Sequence, residues 1–231
     1  MKKFLFVDMD GTLAAWKPAT PEELTRPHYF ARLPVNGNVV QALQLIRDEH
    51  NDQDVEIYIL SAVLQETKAE ADKKTWLSVH CPYINSDHQV FVPYGKNKAE
   101  YVKQLLKVDM KECYLLDDYS KNIKEWEAAG GVPIKMFNGI NGKSLRYSGA
   151  YTCAWLSPEQ MYKDIAAIMR ILPDEDLLAG VEQLLDENEP NFDKTSHGFD
   201  EGYASGYHDA LVDVLRRFGW VGIAEEIGYI D

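Results

Sequence analysis

Cysteine, histidine and positive charge are scarce in this chain, and long apolar runs are missing. The three cysteines, Cys81, Cys113 and Cys153, are widely separated and form no Cys-x-x-Cys pair. That excludes a disulfide framework and leaves free thiols in a reducing compartment. The six histidines are scattered too; His80-Cys81 with His88 nearby lacks ligand spacing, so no structural zinc is expected. No apolar stretch is long enough to cross a bilayer. The N-terminus passes from Lys2-Lys3 straight into an apolar run, leaving no room for a cleavable signal, and a soluble, cytoplasmic protein is expected. Basic residues number 24 against 37 acidic ones, a formal charge of −13. The deficit lies late in the chain: residues 1–150 hold 20 acidic and 19 basic side chains, residues 151–231 hold 17 and 5. With no basic stripe to neutralise a phosphate backbone, a nucleic-acid polymer is not an expected partner. A small phosphorylated molecule needs only a local cation or lysine.

What is present is enough apolar material for one full core and a smaller appended one: 231 residues, 45% hydrophobic. Apolar runs predict strands near Phe4–Asp8, Val55–Leu60, Gln89–Val92, Cys113–Leu116 and Val132–Phe137. Between them, helical spacing predicts helices over about Asn38–His50, Glu66–Ser78, Lys98–Leu106 and Ser120–Ala129. Ala69, Lys73, Trp76 and Leu77 fall near one face of the second, and Gly130 is placed to stop the fourth. Strands alternating with helices imply an α/β, Rossmann-like parallel sheet of about five strands with flanking helices. Such sheets bind ligands at the carboxyl ends of their strands.

The first strand ends in Asp8-Met9-Asp10-Gly11-Thr12. Carboxylates two apart on a strand share a face, but a turn at Gly11 lets one carboxylate and one backbone carbonyl converge on a hard cation, which takes oxygen ligands. A divalent metal is therefore the first partner to expect. Gly142-Lys143-Ser144 does not make a nucleotide-triphosphate loop, because the glycine required five positions before Gly142 is replaced by Phe137.

The Asp8–Thr12 string resembles motif one, DxDG[TV], of the haloacid-dehalogenase-like phosphatase superfamily, and the other three motifs follow in order. Val55–Leu60 runs into Ser61, matching the Ser or Thr that ends a hydrophobic strand. Tyr94–Glu100 offers two lysines near a helix start, Lys96 and Lys98, of which Lys98 better fits the family's placement. Cys113–Leu116 delivers the paired acids Asp117-Asp118, with Asn122 beyond. The resemblance covers about the first 145 residues. It implies Asp8 as nucleophile, forming an aspartyl-phosphate, and Asp10 as general acid and base. It further implies Mg²⁺ held by Asp8, the Asp10 carbonyl, Asp117 and Asp118, and phosphoryl oxygens bound by Ser61 and a lysine. Thr12 either orients the loop or simply suits a turn.

Residues 13–35 occupy the place where the family inserts its cap, and here the cap must be minimal. The segment is rich in proline and aromatic residues, with Trp16, Tyr29, Phe30, Arg26 and Arg32. Trp16 could stack on a base and Arg26 could hold a phosphate; the alternative is that such residues pack the loop onto the domain. Members with 5'-nucleotidase and 5'(3')-deoxyribonucleotidase activity look similar, so the resemblance implies a nucleoside monophosphate as substrate. Sugar or other metabolite phosphates are the alternative. A different class is a non-catalytic interaction protein working through its acidic tail. Residues 1–150 are expected to form the catalytic domain. Residues 151–231 form an acidic helical extension, with helices over about Pro158–Leu172, Asp174–Asp186 and Gly198–Phe218. The last carries Gly202-Tyr203 and Gly206-Tyr207, a repeat that puts small residues on one face, suited to docking on the core, to pairing with another subunit as a homo-oligomer, or to receiving a partner.

Overall fold

Each short apolar run becomes a strand because both faces of the resulting sheet are covered. The computed structural model describes residues 2–50, 53–141 and 147–172 together with Phe218. Its strands are β1 (Lys3–Val7), β2 (Val55–Val63), β3 (Gln89–Pro93), β4 (Cys113–Asp117), β5 (Val132–Phe137) and β6 (Tyr151–Cys153). The sheet order is β3-β2-β1-β4-β5-β6. The pairs β1–β2, β1–β4, β2–β3 and β4–β5 are all parallel, and Val7 sits level with Ile59 on one side and Leu116 on the other. Leu5, Phe6 and Val7 are each fully buried, as expected of a parallel strand packed on both faces. The chain thus has the expected α/β architecture, with six strands rather than about five.

The helices are α1 (Pro21–Leu24), α2 (Gly37–Glu49), α3 (Ala69–His80), α4 (Lys98–Leu106), α5 (Ser120–Ala128) and α6 (Pro158–Ile168). Helix α2 buries Val39, Val40, Ala42, Leu43 and Ile46, the stripe its spacing predicts. Helix α3 begins three residues later than expected. Glu66 adopts a φ of +59°, and the Thr67 hydroxyl accepts from the Ala69 N–H, so the first turn cannot form earlier. Helix α5 ends where Gly130 was placed to stop it. Gly130 has a φ of +91°, while the Gly131 N–H bonds to Trp126 and that of Gly130 to Glu127, the pair of bonds that closes a helix on a left-handed residue.

One sheet face carries a core of Phe6, Tyr58, Leu60, Val90, Val92, Val102, Leu115 and Trp126. Trp126 is fully buried, lies 5.2 Å from the Phe6 ring and donates its indole N–H to the Cys113 carbonyl at 3.1 Å. Among the described residues none of the three cysteines forms a disulfide. Burial pushes the thiols of Cys81 and Cys113 up to about 12, which keeps them protonated and inert.

By internal contacts the chain divides into two units, Met1–Leu145 with Thr152–Tyr162, and Arg146–Tyr151 with Lys163–Asp231. β1 to β5 and every candidate site residue belong to the first. The last strand lies past the boundary expected at residue 150. Among the described residues no helix is long and apolar enough to cross a membrane. The expected helices over 174–186 and 198–218, and the Gly142-Lys143-Ser144 segment, lie outside the described residues, Phe218 excepted.

Candidate active site

The connections run from β1 to one side of the sheet through β2 and β3, and to the other through β4, β5 and β6. This reversal opens a crevice beyond the carboxyl ends of β1 and β4, where open α/β sheets hold their ligands. Asp8 follows β1 and Asp117 ends β4. The Asp8 N–H continues the ladder by bonding to the Leu116 carbonyl at 2.9 Å. Gly11 then turns the chain at a φ of +87°, a conformation open to glycine without strain.

Three carboxylates converge here. Oxygens of Asp8, Asp117 and Asp118 lie within 4.8 Å of one another. Lys98, the first residue of α4, is buried and reaches back across the crevice, its Nζ 2.7 Å from Asp8 Oδ1 and 2.8 Å from Asp117 Oδ2. Its neighbour Asn97 caps the helix by accepting the Glu100 N–H. A helical side chain leans toward the helix N-terminus, which aims Lys98 at the strand ends. Lys96, in the turn ahead of the cap, is exposed and does not join the cluster. Asp117 is held from three directions: besides Lys98, it accepts the Tyr119 N–H and the Asn122 amide, each at 2.8 Å.

The Asp10 carboxylate points elsewhere. Its Oδ2 lies 2.5 Å from Lys73 Nζ, while its Oδ1 is buried and makes no hydrogen bond among the described residues. Lys73, fully buried on α3, also donates to Ser61 Oγ at 2.8 Å and to the Ala62 carbonyl at 2.7 Å, and sits over the Phe30 ring at 4.8 Å. Ser61 is fully buried within β2, which continues two residues beyond it to Val63, correcting the expectation that it ends the strand. Thr12 is buried as well; its carbonyl accepts from Asn36, and its hydroxyl has no hydrogen-bond partner among the described residues.

Three contributors were not assigned from sequence. Lys73 falls near one face of its helix with Ala69, Trp76 and Leu77, and its partner Asp10 lies 63 residues away. Lys135, buried in β5, donates to the Asp118 carbonyl and to Ser120 Oγ. Asn138, in the loop after β5, donates to the Gly11 carbonyl at 2.8 Å and to Asp118 Oδ2 at 2.9 Å. The adjacent Asn141 amide donates to the Asp118 carbonyl.

Four acids, Asp8, Asp10, Asp117 and Asp118, thus face three buried lysines, Lys73, Lys98 and Lys135. Charge is left over on the negative side, and the titrations follow. Burial pushes Asp118 up to about 7, helped by the negative charge of Asp8 and Asp117. Burial also raises Asp117 and Asp10, against the pull of Lys98 on the one and Lys73 on the other. For Lys98, burial acts downward but is outweighed by Asp117 and Asp8, which push the ammonium up and keep it charged. A cluster of carboxylate oxygens with excess negative charge fits a hard divalent cation.

The cap segment consists of α1, closed by a capping box between Thr20 and Glu23, and a single tight turn at Phe30–Arg32. Trp16 and Arg26 line a cavity of about 460 Å³ with Lys17, His28, Tyr29 and Arg32, and none of the four acids is part of its lining.

No family model matches this chain, and no curated protein matches it. Among solved structures, it is similar to D,D-heptose 1,7-bisphosphate phosphatase from Burkholderia thailandensis, at 11% identity and a TM-score of 0.50, over 71% of this chain and 98% of that one. It also matches the D,D-heptose 1,7-bisphosphate phosphatase from B. bronchiseptica complexed with magnesium and phosphate, at 16% identity and 0.49, over 80% and 99%. At these identities the first likeness shows a shared α/β fold.

Proposed function

We propose that this protein is a magnesium-dependent phosphomonoesterase working through an aspartyl-phosphate on Asp8. The observation that carries this reading is the convergence of Asp8, Asp117 and Asp118 with buried Lys98 at the crevice between β1 and β4. Asp8, Asp117 and Asp118 would hold the cation, the Asp10 backbone carbonyl completing the protein's share. When bound, Mg²⁺ supplies the positive charge that lets an anionic phosphate approach an anionic carboxylate. Lys98 holds Asp8 in place and stays charged to offset the phosphoryl oxygens. Asp10 has the two attributes of a general acid: a pKa raised above that of an exposed aspartate, and an oxygen, Oδ1, with no hydrogen-bond partner among the described residues. In the first half-reaction it gives its proton to the leaving alkoxide, and in the second it takes one from the attacking water. Lys73 fixes the other oxygen of Asp10 and ties it to Ser61.

Of the two substrate readings, a sugar or other metabolite phosphate is favoured over a nucleotide. The rings of Trp16 and Tyr29 meet edge to face at 6.4 Å and 77°, so they contact each other and leave no slot for a base between them. The named activity of the Burkholderia structure, on a heptose bisphosphate, supports the same side. Phosphate release from sugar phosphates, nucleoside monophosphates and an aryl phosphate, with Mg²⁺ and with chelator, tests this reading. Magnesium-dependent turnover led by sugar phosphates is the expected result; turnover unaffected by chelator, or none at all, would overturn it.

A further inference from the structure

The cap cavity has a composition that phosphoryl transfer does not use. It is walled by Lys17, Arg26, Arg32, His28, Trp16 and Tyr29, in a chain carrying a net charge of −13. Among the described residues Lys17, Arg26 and Arg32 form no ion pair within 4.0 Å, whereas Lys2, Lys74, Lys103 and Lys121 each pair with a glutamate. Arg26 feels the charge of Glu22 on α1 without pairing with it, and cations gathered round a hollow repel one another, so an anion placed among them removes that repulsion. At about 460 Å³ the hollow is of metabolite size.

The cavity is tied to the reacting end. His28, at a φ of +63°, lies 3.7 Å from Asp72, the residue before Lys73, which grips Asp10. The Tyr29 hydroxyl is buried without a hydrogen-bond partner among the described residues. Burial raises that phenol first, and the charges of Glu23 and Asp10 raise it further, so it stands as a neutral donor within the field of Asp10. The Tyr29 ring packs edge-on against Phe30 at 5.1 Å, and Phe30 lies under the Lys73 ammonium.

We infer that the cap cavity binds a second anionic group of the substrate, held by Arg26, Arg32 and Lys17, so that the enzyme acts on small phosphate esters bearing another phosphate or a carboxylate. The inference rests on the phosphomonoesterase reading and adds what the leaving group must carry. A guanidinium fork accepts either anion through paired N–H donors. Trp16 and Tyr29 supply an apolar wall for the carbon chain between the two anions.

The test compares kcat/KM, with Mg²⁺, for a hexose bisphosphate against the hexose monophosphate, and for phosphoglycerate against glycerol phosphate. The same pairs are run on an R26Q/R32Q variant, whose replaced side chains are exposed, so that its fold is expected to persist. The wild type should prefer the doubly anionic member of at least one pair by about tenfold or more, equivalent to about 1.4 kcal/mol, and the variant should lose most of that preference. Preference confined to the first pair identifies a second phosphate, and confined to the second, a carboxylate; either supports the inference. Equal kcat/KM within both pairs, or a nucleoside monophosphate outperforming every doubly anionic ester, would overturn it while leaving the phosphatase intact. If nothing is hydrolysed, aryl phosphate included, the phosphatase reading fails, and calorimetry decides the cavity separately. Tighter binding of the bisphosphate than of the monophosphate, lost in the variant, supports the inference; equal binding overturns it.

Discussion

At Gly11 a single missing methyl group holds the site open. A Cβ there would run into the Asp118 carboxylate, on a backbone whose φ of +87° already disfavours any side chain. Gly11→Ala is expected to cost about 1–2 kcal/mol of stability from the backbone alone, and to lower activity on the order of a hundredfold by displacing Asp118. Denaturant melts and phosphate release measure the two effects separately.

Asp118 itself gives the site a pH dependence. Its folded value of about 7 lies above the ordinary 3.8, so ionising it opposes folding. Its contribution to the stability of the metal-free protein therefore falls as pH rises from 3.8 toward about 7, and is level beyond. A cation needs the ionised form, so Mg²⁺ must displace a proton below that value. Calorimetry in buffers of different ionisation enthalpy should show proton release at about pH 6 and almost none at about pH 8. Equal release at both would contradict the assignment of Asp118 to the metal.

Among the elements, α5 matters because it follows Asp118 directly and is anchored to the sheet by Trp126. Trp126→Phe retains most of the packing but leaves the Cys113 carbonyl without its donor, for an expected loss of about 1–3 kcal/mol. Trp126→Ala should cost about 3–5 kcal/mol. Equal losses for the two would mean that volume plays no part. Five strands were legible because each is an apolar run of four to six residues, and every acid of the site lies at or just past the end of one. Tyr151-Thr152-Cys153 was not legible, since a three-residue edge strand with only Thr152 buried has no period to read. The preference for Lys98 over Lys96 came from the resemblance, and its physical reason is the direction in which the first residue of α4 points. Lys73 and Asn138 were hidden for another reason: their partners are remote in sequence, 63 residues away for Asp10 and 127 for Gly11, and only the folded sheet brings them together.

For the whole molecule, β6 sets how much chain the sheet needs. A chain ending at Ala150 removes that strand from the sheet edge, whereas one ending at Leu172 keeps all six. The shorter chain should unfold at lower denaturant concentration than the longer; identical midpoints would show that the edge strand adds nothing. The charge balance of the site also belongs at this scale. Its four acids and three lysines come from four separate strands or helices and from two of the turns between them, so the excess negative charge that suits a cation is a product of the fold.

The central claim is that Asp8 carries the phosphoryl group during turnover. Acid-quench peptide mass spectrometry during steady-state hydrolysis of an aryl phosphate tests it most directly. With Mg²⁺, the peptide containing Asp8 should gain one phosphoryl group, which should vanish with chelator or in Asp8→Asn, whose turnover should be abolished while its fold persists. Sustained turnover by Asp8→Asn, or a phosphoryl group found on any other residue, would contradict the account.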